Sequence, residues 1–194
     1  YVSDLQKIYK FDQYGGFIRS WGTYGGGAGE ISEPKTIHYS VHGDNLVVSN
    51  TANNRISVFS TSGALVREFG SAGTGEGEFD APHGLTTDSD GNIYVVDSNN
   101  HRVQIFTEHG IFIREFGGSG AGNYQFIFPK DIEVLSTGEI VVTSQNAPLI
   151  KKFSSTGVYI SEWGTNGTAP EQFVSPEYLT KATDDSLWVS DWNQ

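Results

Sequence analysis

The chain has 194 residues, 12 Lys and Arg against 23 Asp and Glu, a formal net charge of −11 at pH 7, and neither Cys nor Met. Disulfides and thiolate metal sites are thereby excluded, and no nucleic-acid partner is expected, because neutralising phosphates requires a basic surface. Aromatics at 13% and 24 Gly mark a folded, turn-rich chain, and no window approaches the ~18 consecutive apolar residues of a membrane span, so no membrane insertion is expected.

Read in chain order, the sequence repeats itself. Trp21-Gly22, Phe69-Gly70, Phe116-Gly117 and Trp163-Gly164 follow one another at spacings of 48, 47 and 47. Each glycine is followed twelve residues later by a proline, at Pro34, Pro82, Pro129 and Pro176. A connector of constant length implies a constant geometry. Ile8, Ile56, Val103 and Ile150 share one phase, Phe11, Phe59, Phe106 and Phe153 the next, and Leu46, Ile93, Ile140 and Leu187 another. The one extra residue falls in the turn around His42 to Asn45, where an insertion costs least.

Residues 1–21 read as two strands, c and d, and 22–33 as the connector into the first full unit. Units follow at 34–81, 82–128 and 129–175, and residues 176–194 supply strands a and b. In the unit 82–128, strand a covers 84–88, strand b 92–97, strand c 102–107 and strand d 112–116, with turns at Ser89-Asp90-Gly91 and Glu108-His109-Gly110. Short apolar, β-branched runs between turn residues read as strands, and no stretch reads as helical. Four antiparallel strands cannot bury both faces alone, so each unit needs a neighbour, which predicts an all-β protein, a β-propeller of four-stranded antiparallel blades in one domain, 1–194. Joining 176–194 to 1–33 would make a composite blade and close a four-bladed ring.

Pro82-His83-Gly84-Leu85, then Asp88-Ser89-Asp90-Gly91-Asn92-Ile93-Tyr94-Val95-Val96-Asp97, then Asn100-His101-Arg102-Val103-Gln104-Ile105-Phe106 resembles an NHL repeat. The resemblance extends over the whole chain and weakens in 129–164, where Ser144 stands for the Asp ending strand b and Leu149 for the Arg opening strand c. It implies a propeller used mostly as a binding platform, usually of six blades, so the chain is alternatively part of a six-bladed ring. An unclosed piece would expose two apolar blade faces and self-associate.

In such a wheel the residue after each proline sits at the mouth of the central channel. Lys35, His83, Lys130 and Glu177 are therefore the candidate binding residues, with Asp131 and Tyr178 just inside. A histidine after such a proline is similar to the peptidyl-amidoglycolate lyase domain, a propeller that holds zinc with histidines from several blades. Here only His83 holds that phase and Lys35 and Lys130 would repel a metal, so neither metal nor other cofactor is expected. His38, His42, His101 and His109 read as strand or turn residues, and Asp88 to Asn92 as a β-turn, since its Gly is misplaced for an EF-hand loop and no closing Glu follows.

Asp97 with Arg102 and Asn50 with Arg55 read as structural pairs across the b-to-c loop. Arg19, Arg67 and Arg114 in strand d, with Glu68, Glu115 and Glu162, read as charges that protect an outer sheet edge. Ile31, Phe79, Phe126 and Phe173, three residues before each proline, read as wedges between blades. No catalytic constellation recurs at a fitting phase. The sequence thus points to a non-enzymatic scaffold that binds protein or glycan through its loop-rich face, the alternative being a propeller lyase or hydrolase with an axial metal near His83. An extracellular or cell-surface location is expected by analogy with repeat propellers.

Overall fold

The computed structural model describes residues 1–145 and 149–192. Asn146-Ala147-Pro148, read from the sequence as a stiff exposed loop, lies outside the described residues. Strands β1 (Val2–Ser3), β2 (Ile8–Phe11) and β3 (Phe17–Trp21) form a three-stranded sheet. β4 (Pro34–Ser40), β5 (Asn45–Asn50), β6 (Arg55–Ser60) and β7 (Leu65–Phe69) form the first complete blade. The short parallel pair β8 (Ser71–Ala72) and β9 (Glu78–Phe79) lies in the connector. β10 (Pro82–Thr87), β11 (Ile93–Asp97), β12 (Arg102–Phe106) and β13 (Phe112–Gly117) form the second blade, and β14 (Pro129–Val134), β15 (Ile140–Ser144), β16 (Leu149–Phe153) and β17 (Tyr159–Trp163) the third. A second parallel pair, β18 (Thr165–Asn166) and β19 (Gln172–Phe173), leads to a terminal hairpin of β20 (Pro176–Lys181) and β21 (Leu187–Asp191).

Every blade is an antiparallel meander, so the fold is all-β, and Thr51–Asn53 is a single 3-10 turn. No helix among the described residues is long and apolar enough to cross a membrane. β1 pairs Ser3 with Ile8 as β11 pairs Val96 with Val103, so the first sheet includes a short piece of strand b besides c and d. This sheet and the β20–β21 hairpin are separate sheets among the described residues.

The blades lean on one another through the connector wedges. Ile31, Phe79 and Phe126 have no exposed surface, and Phe173 is half-buried. Around Phe126, Tyr94 and Val96 of the second blade meet Ile132, Val134, Ile140 and Val142 of the third. Around Phe79, Val47, Ile56 and Val58 of the first blade meet Leu85, Ile93, Val95 and Phe106 of the second. On the outer side, the aromatic ending strand d covers a glycine in the next blade's c-to-d turn: Trp21 on Gly63, Phe69 on Gly110, Phe116 on Gly157. A Cβ on Gly110 would stand 2.6 Å from the Phe69 ring, and its φ of +82° independently disfavours any side chain.

Buried cations fasten the wedges. Arg102 donates to Asp97 Oδ2 at 2.8 Å and to the connector carbonyls of Thr74, Gly75 and Glu78 at 2.8, 2.8 and 2.9 Å, while Glu115 pairs with it at 2.8 Å. Arg55 likewise donates to the carbonyls of Gly26 and Glu30 and pairs with Glu68. Its predicted partner is corrected here: the Asn50 amide donates instead to Glu30 O and Ser57 Oγ. In the third blade, where Leu149 occupies the arginine position, Lys151 two residues on takes over. It is 1% exposed, donates to Gly122 O at 2.6 Å and Gln125 O at 2.8 Å, and stands 3.6 Å from Glu162. Arg19, Arg67 and Arg114 also depart from the edge-protecting reading, because each donates to a c-to-d turn carbonyl of the next blade, Ser62, Glu108 and Ser155 respectively. They are latches between blades.

Phe126→Ala should lower the unfolding free energy by about 3 to 5 kcal/mol, read by urea denaturation, since it empties the centre of an interblade core. A loss under ~1 kcal/mol would place the wedge elsewhere.

Candidate functional site

The inner strand of every blade begins at the repeated proline, and β4, β10, β14 and β20 are successive neighbours around the axis. The residues before three of these prolines, Glu33, Ala81 and Phe128, hold positive φ values of 48°, 53° and 49°. Such backbone persists where neighbours fix it. Here Glu33 N–H donates to Leu5 O, Ala81 N–H to Asn54 Oδ1 at 2.9 Å, and Phe128 N–H to His101 Nδ1 at 3.1 Å, so each blade ties down the next inner strand. Register shifts between Pro34 and Ile37, Pro82 and Leu85, and Pro129 and Ile132 are bulges directly after the prolines. A bulge offsets the alternation of faces by one residue, so residues three apart project to the same side.

His83 lies on β10, beside β14, and is 5% exposed. Its Nδ1 lies 3.0 Å from Lys130 O, and a carbonyl only accepts, so the ring proton resides on Nδ1 and Nε2 is bare. Nε2 faces Glu177 Oε1 at 3.7 Å, and the Tyr178 ring centre lies 6.0 Å from the imidazole. Burial first, then the charges of Lys130 and Lys35, push the His83 pKa down to about 4, so the ring is neutral at pH 7. Lys35 is exposed, Lys130 and Glu177 are half-buried, and Tyr178 is 44% exposed. Asp131 lies beneath, 5% exposed, accepting from Ile132 N–H at 3.0 Å and Leu179 N–H at 2.8 Å. It therefore bridges β14 to β20, and burial pushes its pKa up to about 7. A Cβ on Gly84 would stand 2.5 Å from Asp131 Cα and 2.6 Å from Lys130 O, so only glycine lets β10 approach β14 this closely.

A second polar tier was missed in the sequence reading. Three residues further along the inner strands, Thr86 Oγ1 donates to Glu133 Oε2 at 3.4 Å, and His38 Nε2 stands 3.0 Å from Thr87 Oγ1. Lys181 Nζ donates to Val134 O and its charge acts on both His38 and Glu133. Burial, then Lys181, pushes the His38 pKa down to about 4. The shared phase of His38, Thr86, Glu133 and Thr180 was the available signal. Among the described residues no group of three or more His, Asp or Glu could hold a metal.

Comparison with known proteins places this geometry. Residues 79–106 match the NHL repeat family model. No curated protein matches the sequence. A catalytically inactive His-to-Ala variant of virginiamycin B lyase from Staphylococcus aureus, with quinupristin, superposes with a TM-score of 0.68 at 22% identity, over 95% of this chain and 56% of that one. A streptogramin B lyase gives 0.66 at 18% identity, over 97% and 54%. A chain of a nidogen/laminin complex gives 0.58 at 15% identity, over 84% and 57%. At these identities the likeness is one of fold, and the chain spans little more than half the length of each.

His83, buried, and His38, half-buried, set a pH dependence. An unfolded histidine titrates near 6.5 and these near 4, so their contribution is complete above pH ~6.5 and is lost as pH falls through 4, by up to about 3 kcal/mol per ring. Asp131, raised to about 7, runs the other way, its contribution complete below pH ~3.8 and lost as pH rises through 7. Urea denaturation at pH 7 and 4.5 should show the His38→Gln/His83→Gln variant losing less stability on acidification than the parent. An equal loss in both would contradict the neutral rings.

Proposed function

We propose that the chain, whose residues 79–106 match the NHL repeat and whose fold is similar to that of propeller proteins, is a non-enzymatic binding scaffold that engages a protein or glycan through the loop-rich face surrounding the axial mouth. The observation that carries this is the convergence at the mouth: neighbouring inner strands bring Lys130, Glu177 and the Tyr178 ring against His83, and the charge of Lys35 reaches the same imidazole. An amphipathic ring beside unshielded charge suits a macromolecular contact, because it supplies area and orientation at little entropic cost. The nidogen/laminin chain, a similar fold found in a protein complex, supports a protein partner over a glycan.

The alternative, a lyase or hydrolase with an axial metal near His83, draws on the fold likeness to virginiamycin B lyase. It requires three or four ligands, and His83 and Glu177 are the pair the mouth offers.

Peptide and glycan arrays probed with the purified protein test the reading. Ligands retained by the parent should bind at least about tenfold more weakly to Tyr178→Ala and Lys130→Glu, with Thr156→Ala on the opposite face unchanged. Equal retention by all three variants would move the binding surface away from the axis.

A further inference from the structure

The charges at the mouth are distributed in a way that constrains the ligand. Most cations of this chain are engaged: Arg55, Arg102, Lys151 and Lys152 pair with carboxylates, and Arg19, Arg67, Arg114 and Lys181 donate to carbonyls. Lys35 and Lys130 make no ion pair and no side-chain hydrogen bond among the described residues. These two act on the same imidazole. A chain of net charge −11 therefore holds two uncommitted cations at one opening.

Below them lies an acceptor pair without a donor. His83 Nε2 is bare, because Nδ1 gives its proton to Lys130 O, and Glu177 Oε1 faces it at 3.7 Å, beyond hydrogen-bond length. A ligand that satisfies both features carries negative oxygens for the lysines and an N–H or O–H for the acceptor pair. A phosphodiester has the charge without a donor of its own. A peptide with Asp or Glu side chains has both, the donor being its own backbone N–H.

We propose that the axial mouth binds an acidic peptide segment of a partner protein, with Lys35 and Lys130 holding a side-chain carboxylate and the His83 and Glu177 acceptors receiving a neighbouring backbone N–H. This rests on the binding reading above and adds the ligand's chemical class. The Tyr178 ring flanks the segment.

The experiment is an NMR titration of the 15N-labelled chain with three probes: an N-acetylated, C-amidated triglutamate peptide, its triglutamine counterpart, and a galacturonic acid trimer, with inorganic phosphate as a fourth. The glutamate peptide should shift the amides of Lys35, His83, Lys130 and Glu177. Its affinity should fall about threefold in Lys35→Gln or Lys130→Gln and about tenfold in the double variant, and weaken as salt rises from ~20 to ~200 mM. Equal binding of the triglutamine peptide at the same amides would overturn the anionic class while leaving the mouth as a binding site. Preferential binding of galacturonate or phosphate would overturn the peptide assignment. No shift at the mouth with any probe would overturn the proposal, and the array experiment separately decides whether a ligand binds that face at all.

Discussion

The structure depends on one contact made repeatedly, an apolar side chain from each connector driven between two sheets that cannot cover themselves. Ile31, Phe79 and Phe126 are fully buried because each is touched by the blade before and the blade after. Hydrophobic burial supplies the drive, but the wedge needs a fixed depth, and a Gly-rich connector has little stiffness of its own. Fixed depth comes from the cations of strand c, whose hydrogen bonds to connector carbonyls offset the cost of burying both the charge and the backbone. The glutamate on strand d completes each clamp.

The site is a product of the same packing. Since the wedge sets the distance between blades, it also sets the distance between inner strands, and Gly84 records how short that distance is. Bulges after the prolines then turn two residues per strand toward the axis, which is why the polar wall has two tiers. Burial, with the charge of nearby lysines, pushes the pKa of both His38 and His83 down to about 4. Position, not local propensity, makes this opening chemically distinct from the acidic surface around it.

The period of 47, the strand pattern, the wedges and the approach of His83, Lys130, Glu177 and Tyr178 were legible in the sequence, because a repeat places equal phases at equal positions. What was hidden came from relations that phase does not encode. Lys151 carries the arginine's work from a position two residues away, so the missing arginine at Leu149 looked like a loss. Arg19, Arg67 and Arg114 lie on edge strands, and only the placement of the following blade's turn shows what they hold. The second tier at His38, Thr86 and Glu133 shares a phase, but strict alternation would turn it away from the axis, and the bulges that restore it carry no residue signature of their own. Asn50 was paired with Arg55 by analogy with Asp97 and Arg102, whereas an amide can serve the connector carbonyl itself.

The central claim is that blades distant in sequence meet at a shared axis. His83 and Tyr178 are separated by 95 residues and belong to different sheets, yet their ring centres lie 6.0 Å apart. Nuclear Overhauser spectra of the aromatic protons measure this directly. A cross-peak between the His83 and Tyr178 rings is predicted, and its absence, with each ring contacting only its own hairpin, would contradict the wheel-like arrangement and the mouth built on it.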